Sequence, residues 1–330
     1  MSSSETSLTT PLATPVTAPA PQAPVPKPPL TPPDPSRAAW WPTTDLDGFL
    51  VRAGEFLHSA PALNTVLLSV TETLRERGLQ AYGEGAPLFG TYADADGTVR
   101  GAFLWTPPHR VSVSAVGPEA ADSLALLLAD FGPDLPGVAA ERATAEAFAR
   151  SWRQHTGASA ALGMRQRLYR LDTLTPPEPA PPGRDRVATE ADRDLLARWY
   201  EEFCEALGER PGMAPHAWAD SRIVYGGATV WETPDGTPVA MAGATRRVAG
   251  QVRVAPVYTP ADLRGRGYGG AATVAVTRAA LDAGAVEVLL FTDLANPTSN
   301  RLYQRLGYRP VGDFAQWDFT RRDFTATATP

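Results

Sequence analysis

The chain has a single cysteine, Cys204, in 330 residues. That excludes an intrachain disulfide framework and a cysteine-rich metal site. Histidine is scarce too: His58, His109, His155 and His216 are scattered and share no ligand spacing, so no metal is expected. No run of 18 apolar residues is present to span a membrane. The first 20 residues lack the basic and apolar regions of a secretory signal. Lysine and arginine form no block and the formal net charge is −6, which argues against nucleic acid as a main partner. These absences predict a cytoplasmic protein acting without metal, membrane or nucleic acid. They leave oligomeric state open, a homodimer included.

Proline, in contrast, is abundant and unevenly placed. Eleven of the 33 prolines fall between Pro11 and Pro35, in a stretch otherwise made of Ser, Thr, Ala and few charges. Such a segment buries too little apolar surface to offset its ordering entropy, so residues 1–40 are expected to be a disordered tail. A second Pro-rich stretch, 175–183, reads as a linker between two halves, 41–174 and 184–330.

Periodicity orders each half in the same way. In the first, amphipathic runs Leu46–Leu57 and Ala62–Arg77 precede strand-like runs Pro87–Ala93, Thr98–Thr106 and Arg110–Val116. Helical runs Glu119–Asp130 and Glu141–Gln154 and a strand, Met164–Leu171, follow. In the second, Ala191–Leu207 and Ala217–Tyr225 are helical, and Gly227–Glu232, Pro238–Arg247 and Gln251–Thr259 are strand-like. A helix over Gly269–Ala283, a buried-type strand Val286–Thr292, a helix Thr298–Arg305 and a strand Arg309–Phe319 complete the order. The parallel between the halves suggests a diverged duplication.

The most informative segment is Arg264-Gly265-Arg266-Gly267-Tyr268-Gly269-Gly270. Glycines at a helix start let backbone approach a ligand and aim several N–H groups at one point, and two arginines add forked cationic donors. The combination suits a pyrophosphate. Gly265, Gly267 and Gly270 also satisfy G-x-G-x-x-G, but a dinucleotide site requires the loop to follow a parallel strand at once within a βαβ unit. Here five residues intervene, and the preceding strand reads as part of a hairpin meander. The phosphate-loop pattern fails because no Lys-Ser or Lys-Thr follows the last glycine.

Arg264, Gly267 and Gly269 instead fit Arg/Gln-x-x-Gly-x-Gly/Ala at a strand–loop–helix junction, and Asp293 to Tyr308 contains Asn296, Asn300 and Tyr303 at telling positions. Together these motifs resemble the GNAT superfamily of N-acetyltransferases over about residues 184–319. The resemblance implies an α/β fold of two GNAT-like domains, each a mixed, mostly antiparallel twisted sheet flanked by helices. It implies acetyl-CoA as acyl donor and an amine as acceptor. The N–H groups of Gly265 to Gly270, with Arg264 and Arg266, would take the pyrophosphate. Backbone at Val257, Tyr258 and Thr259 would pair with the pantetheine arm, and Asn296 and Asn300 would bond it. Tyr303 would protonate the leaving thiolate. Each has a plainer role open to it: strand residues for Val257–Thr259, a helix cap for Asn296, core packing for Tyr303. The first half has Val116-Gly117-Pro118-Glu119 at the equivalent junction, without arginine, and reads as a degenerate domain.

One expected part is missing. Many GNAT enzymes carry a glutamate on the strand before the loop, whereas Gln251–Thr259 has no carboxylate. Glu202, Glu205, Glu232 and Asp293 are the candidates for a general base. Cys204 lacks a histidine in its segment and reads as packing. The gap keeps an alternative in view, a non-catalytic acyl-CoA sensor or scaffold.

Overall fold

The computed structural model describes residues 37–131 and 135–320. The tail before residue 37 and the last ten residues lie outside them. The first half comprises β1 (Ala39–Thr43), α1 (Leu46–Ser59), α2 (Thr65–Arg77), β2 (Leu88–Ala93), β3 (Val99–Trp105), β4 (Val111–Val113), α3 (Pro118–Asp130), β5 (Gly137–Glu141), α4 (Arg142–Thr156) and β6 (Ser159–Leu171). The second comprises β7 (Arg184–Val187), α5 (Arg193–Ala206), α6 (Pro215–Val224), β8 (Ala228–Glu232), β9 (Pro238–Ala244), β10 (Gln251–Tyr258), α7 (Tyr268–Asp282), β11 (Glu287–Asp293), α8 (Pro297–Arg305) and β12 (Tyr308–Thr320).

Local chemistry explains the boundaries. The Asp94-Ala95-Asp96-Gly97 turn closes because Asp94 Oδ1 accepts from the N–H groups of Asp96 (3.1 Å) and Thr98 (2.9 Å) while Gly97 takes positive φ. A capping box of Thr189 and Asp192 starts the short turn that leads into α5. Asn296 Oδ1 accepts from Ser299 N–H at 3.0 Å and Pro297 occupies the first position of α8.

All twelve strands form one mixed sheet, ordered β1-β2-β3-β4-β5-β12-β6-β11-β10-β9-β8-β7. Exchanging β1–β6 with β7–β12 leaves this order unchanged, the topology of a duplicated unit. Among the described strands only β4/β5 and β10/β11 run parallel. The halves trade their closing strands: β12 lies between β5 and β6, and β6 lies between β12 and β11. The sheet is therefore continuous through the seam. The β10–α7–β11 crossover corrects the sequence-based reading of β10 as a meander strand alone, because β10 is antiparallel to β9 and parallel to β11. Strands β1, β5 and β7, short and weakly patterned, add to those expected.

Helices cover both faces. Second-half strand residues such as Ala240, Ala242, Val252 and Val254 pack with α7, and Met241, Val230 and Tyr258 with α5 and α6. In the first half, α1 and α2 cover Phe89, Ala102 and Leu104, and α3 and α4 cover Phe103, Val113 and Val138. Tyr308 is fully buried under α7, and its hydroxyl is paired with Thr277 Oγ1 at 2.6 Å. An aromatic side chain buried this completely contributes about 1.5–3 kcal/mol.

Candidate active site

The parallel pair β10/β11 is in register only from Gln251/Glu287 to Val254/Leu290. Beyond Val254 the ladder ends. β10 continues beside β9 with a register shift between Val254 and Val257, while Leu289–Asp293 of β11 pairs with β6. A bulge of this kind bends its strand. The edge of Ala255–Tyr258 that faces β11 is left without a ladder partner among the described residues. Unpaired strand backbone is what an extended ligand arm can join.

The glycine loop begins where that edge ends. A single turn, residues 261–263, is followed by Arg264 in extended conformation, then Gly265 (φ 78°) and Gly267 (φ 86°). Both glycines have left-handed backbone that other residues resist. Gly267 caps α7, and the first helical bond runs from Ala271 N–H to Gly267 C=O at 3.0 Å. The N–H groups of Tyr268, Gly269 and Gly270 thus precede the helical ladder at its positive end. A Cβ at Gly269 would lie 3.1 Å from Thr259 Oγ1 and one at Gly270 3.1 Å from Leu302 Cδ1, so the loop is tightly seated there. Arg264 Nε donates to Thr259 C=O (3.0 Å) and Arg266 Nη2 to Asp262 C=O (3.2 Å), which holds both exposed guanidinium stems against the loop.

The other expected residues divide by what their side chains do. Tyr268 is buried, so only its backbone is free to face a ligand. Val257 packs on the α7 side, and Tyr258 emerges on the opposite face. Asn296 is the α8 cap. Asn300 Nδ2 donates to the carbonyls of Asp293 and Asn296, both at 2.7 Å, and its Oδ1 accepts from Tyr169 Oη at 3.0 Å. Asn300 therefore ties α8 to β11 and β6. Tyr303 lies 8% exposed beside Tyr308, with no hydrogen-bond partner for its hydroxyl among the described residues, and burial pushes its pKa up to about 12.

The candidate bases separate on geometry. Glu232 accepts from Arg186 Nε (2.7 Å) and Arg184 Nε (2.8 Å), which hold its carboxyl below the usual range and commit it to structure. Asp293 Oδ1 accepts from Ala295 N–H at 2.8 Å, shaping the turn before α8. Glu205 is exposed on α5. Glu202 alone of the four engages the end of β10: Tyr258 Oη donates to its Oε2 at 2.7 Å. Burial first, and then this bond, push the Tyr258 pKa up to about 12. The strand's lack of a carboxylate hid this pair from a reading along the chain, because its members stand 56 residues apart. Cys204 is buried and its thiol is pushed up to about 11 by desolvation, which fits packing.

Residues 193–308 match the Acetyltransferase (GNAT) family. This segment is a GNAT acetyltransferase domain. The fold likeness extends beyond that segment. A GCN5-related N-acetyltransferase from Sphaerobacter thermophilus superposes with a TM-score of 0.53 at 18% identity, covering 88% of this chain and 98% of its own. A Drosophila protein gives 0.60 at 13%, covering 86% and 99%. A GNAT-family acetyltransferase from Colwellia psychrerythraea gives 0.52 at 10%, covering 85% and 99%. At these identities the likeness is one of fold, and it spans both halves. No curated protein matches the chain in sequence.

The counterpart of the GNAT cradle in the first half is closed. Only Ser114 to Gly117 separate β4 from α3, and Pro118 fills the first helical position. Val116 N–H donates to Thr144 Oγ1 (3.0 Å), and that hydroxyl donates back to Val116 C=O (2.9 Å). Trp40 Nε1 donates to Ala120 C=O at 2.8 Å, laying an indole over the first turn of α3.

Proposed function

We propose that the chain is an acetyl-CoA-dependent N-acetyltransferase that moves an acetyl group onto a primary amine by direct attack within a ternary complex. The observation that carries this reading is the junction of an open strand edge, Ala255–Tyr258, with the exposed loop Arg264–Gly267, its two arginines, and the N–H groups that precede the helical ladder of α7. Gly265 to Gly270, Arg264 and Arg266 would hold the pyrophosphate of acetyl-CoA, and the backbone of Val257 to Thr259 its pantetheine arm. When bound, acetyl-CoA supplies an activated thioester. The chain's own groups must then orient it, polarise its carbonyl and manage two protons.

A backbone N–H freed by the bulge at Val254–Val257 would polarise the carbonyl oxygen. Glu202, held by the Tyr258 hydroxyl, would take the amine proton directly or through one water. Tyr303, kept protonated by burial, would deliver a proton to the departing sulfur. Asn296 and Asn300 would shape α8 around the arm. The first half, 41–174, would serve as a wall and a donor of β6 and bind no acyl-CoA itself.

Calorimetry with acetyl-CoA, followed by mass detection of acetylated products from a panel of amines, tests the reading. Micromolar binding with acetylated product is the expected result. Binding without turnover of any amine would favour an acyl-CoA sensor, and absence of binding would overturn both.

A further inference from the structure

Between α2 of the first half and α6, the β9–β10 connection and β10 of the second lies a cavity of about 460 Å³. Its inner wall carries Arg253, the only charged residue of β10, and Arg222. Among the described residues no carboxylate lies within ion-pair distance of either guanidinium. Arg253 Nη1 donates to Thr65 Oγ1 at 3.3 Å, and Thr65 Oγ1 donates to Gln251 Oε1 at 2.8 Å. Arg222 Nη1 donates to Tyr225 Oη at 2.7 Å, while its buried Nε has no partner. The carboxylates at the rim are already engaged: Glu72 with Arg75 (2.8 Å), Glu76 with Arg246 (2.6 Å) and Asp220 with Arg193 (2.9 Å). Two half-buried guanidinium groups without counter-charge favour an anion beside them. Forked donors fit carboxylate and phosphate oxygens. Burial lowers the Arg253 pKa to about 10, with the charge of Arg222 adding to it, so Arg253 remains a cation at neutral pH.

The cavity approaches the splay through one lining residue, Arg253. Arg253 directly precedes Val254, the last β10 residue in register with β11. Val252 and Val254 pack with α7, so Arg253 extends from the opposite face, the one covered by α2 and α6. An acyl group lying along Ala255–Val257 would thus be about 7–13 Å along the strand from Arg253. An amine reaching that group from the cavity side would leave the rest of its molecule beside the two arginines.

We propose that this cavity is the acceptor pocket, and that the acceptor is a small amine that also carries an acid group, carboxylate or phosphate, seated on Arg253 and Arg222. The amine end of this inference rests on the acetyl-transfer reading, whereas the anion end rests on the cavity itself.

The test uses the full chain and matched amines: a set of L-amino acids against their amides, and O-phosphoethanolamine against ethanolamine. At least one acid is expected to exceed its neutral partner about 30-fold in kcat/KM. The two arms distinguish carboxylate from phosphate. Arg253→Met should raise KM for that acid about 30-fold, with the acetyl-CoA Kd and the neutral partner's kcat/KM unchanged, and Arg253→Lys should recover part of the loss. Should Arg253→Met fail to fold, judged by circular dichroism, Arg222→Lys with the same pairs gives the readout. Equal turnover of acids and neutral partners, or equal losses for both in the variants, would overturn the acid-bearing acceptor and leave acetyl transfer standing. If wild-type protein binds no acetyl-CoA, the acetyl-transfer reading falls instead. Calorimetric titration of the same acids without acetyl-CoA then decides the anion site, and no heat at millimolar acid overturns it.

Discussion

The junctions β4–α3 and β10–α7 occupy equivalent places in a sheet that reads the same from either end, and both deliver a helix N-terminus to the end of a parallel strand. The helix dipole is common to both, so it cannot by itself make an anion site. The difference lies in what precedes the helix. In the second half, Thr259 to Gly267 form an exposed loop with two left-handed glycines and two arginines. In the first, Val116 is held by Thr144, Ser114 is paired with Ala102 of β3, and the Trp40 indole donates to Ala120 C=O in α3. The second-half junction is a long glycine loop that carries two arginines, and the first-half junction is a short connection tied to its own α4 through Val116.

That contrast can be broken most severely by separating the halves. Residues 184–330 expressed alone would lose β5 and β6, unpairing one edge of β11 and both edges of β12. No soluble folded product is expected, as judged by size-exclusion chromatography and circular dichroism. Removing the indole that closes the first junction is next. Trp40→Ala should cost about 3–5 kcal/mol in chemical denaturation and leave the acetyl-CoA Kd of the folded protein unchanged. Paired aspartates sharpen the comparison further. Gly267→Asp places a carboxylate at a left-handed position in the cradle and should weaken acetyl-CoA binding about 1,000-fold by calorimetry. Gly117→Asp, at an extended cap position with open space around its Cβ, should leave that binding unchanged.

Within the second half, Tyr303→Phe should lower kcat about 100-fold with less than a twofold change in acetyl-CoA Kd. Because Tyr303 is pushed up to about 12, no falling alkaline limb from this group is expected below about pH 10 in wild type. Equal kcat in the two proteins would reduce Tyr303 to packing. The smallest effect concerns acid stability. Arg186 holds Asp192 and Glu232 below the usual carboxylate range, so their stabilisation is present at neutral pH and lost as pH falls through those lowered values. Arg186→Met should lower Tm by a few degrees at pH 7, and the gap should close toward pH 3 in thermal melts.

Much of this arrangement is legible in the residues themselves. The apolar periodicity of α5, the Asp94–Gly97 turn and the glycine loop each declare their conformation locally. β5 is short and made of small residues, Gly137-Val138-Ala139-Ala140-Glu141, so its alternation carries almost no contrast. The strand exchange leaves no local trace either. A two-residue period in Met164–Leu171 or Arg309–Phe319 says that a strand is half-buried and does not say which strand lies beside it. The site divides in the same way. The cradle is contiguous in sequence, while the Tyr258–Glu202 pair and the Arg253–Arg222 cavity exist only after α2, α5 and α6 have packed on β10.

The crossed placement of β6 and β12 has a consequence for biosynthesis. The 13 residues of β12 are the last of the described chain to be translated, yet they finish the sheet of the first half. The β5 edge that faces β12 stays unpaired until residues 308–320 have left the ribosome. A premature stop shortly before Tyr308 would therefore also be felt in the first half, where β5 would keep β4 as its sole strand partner.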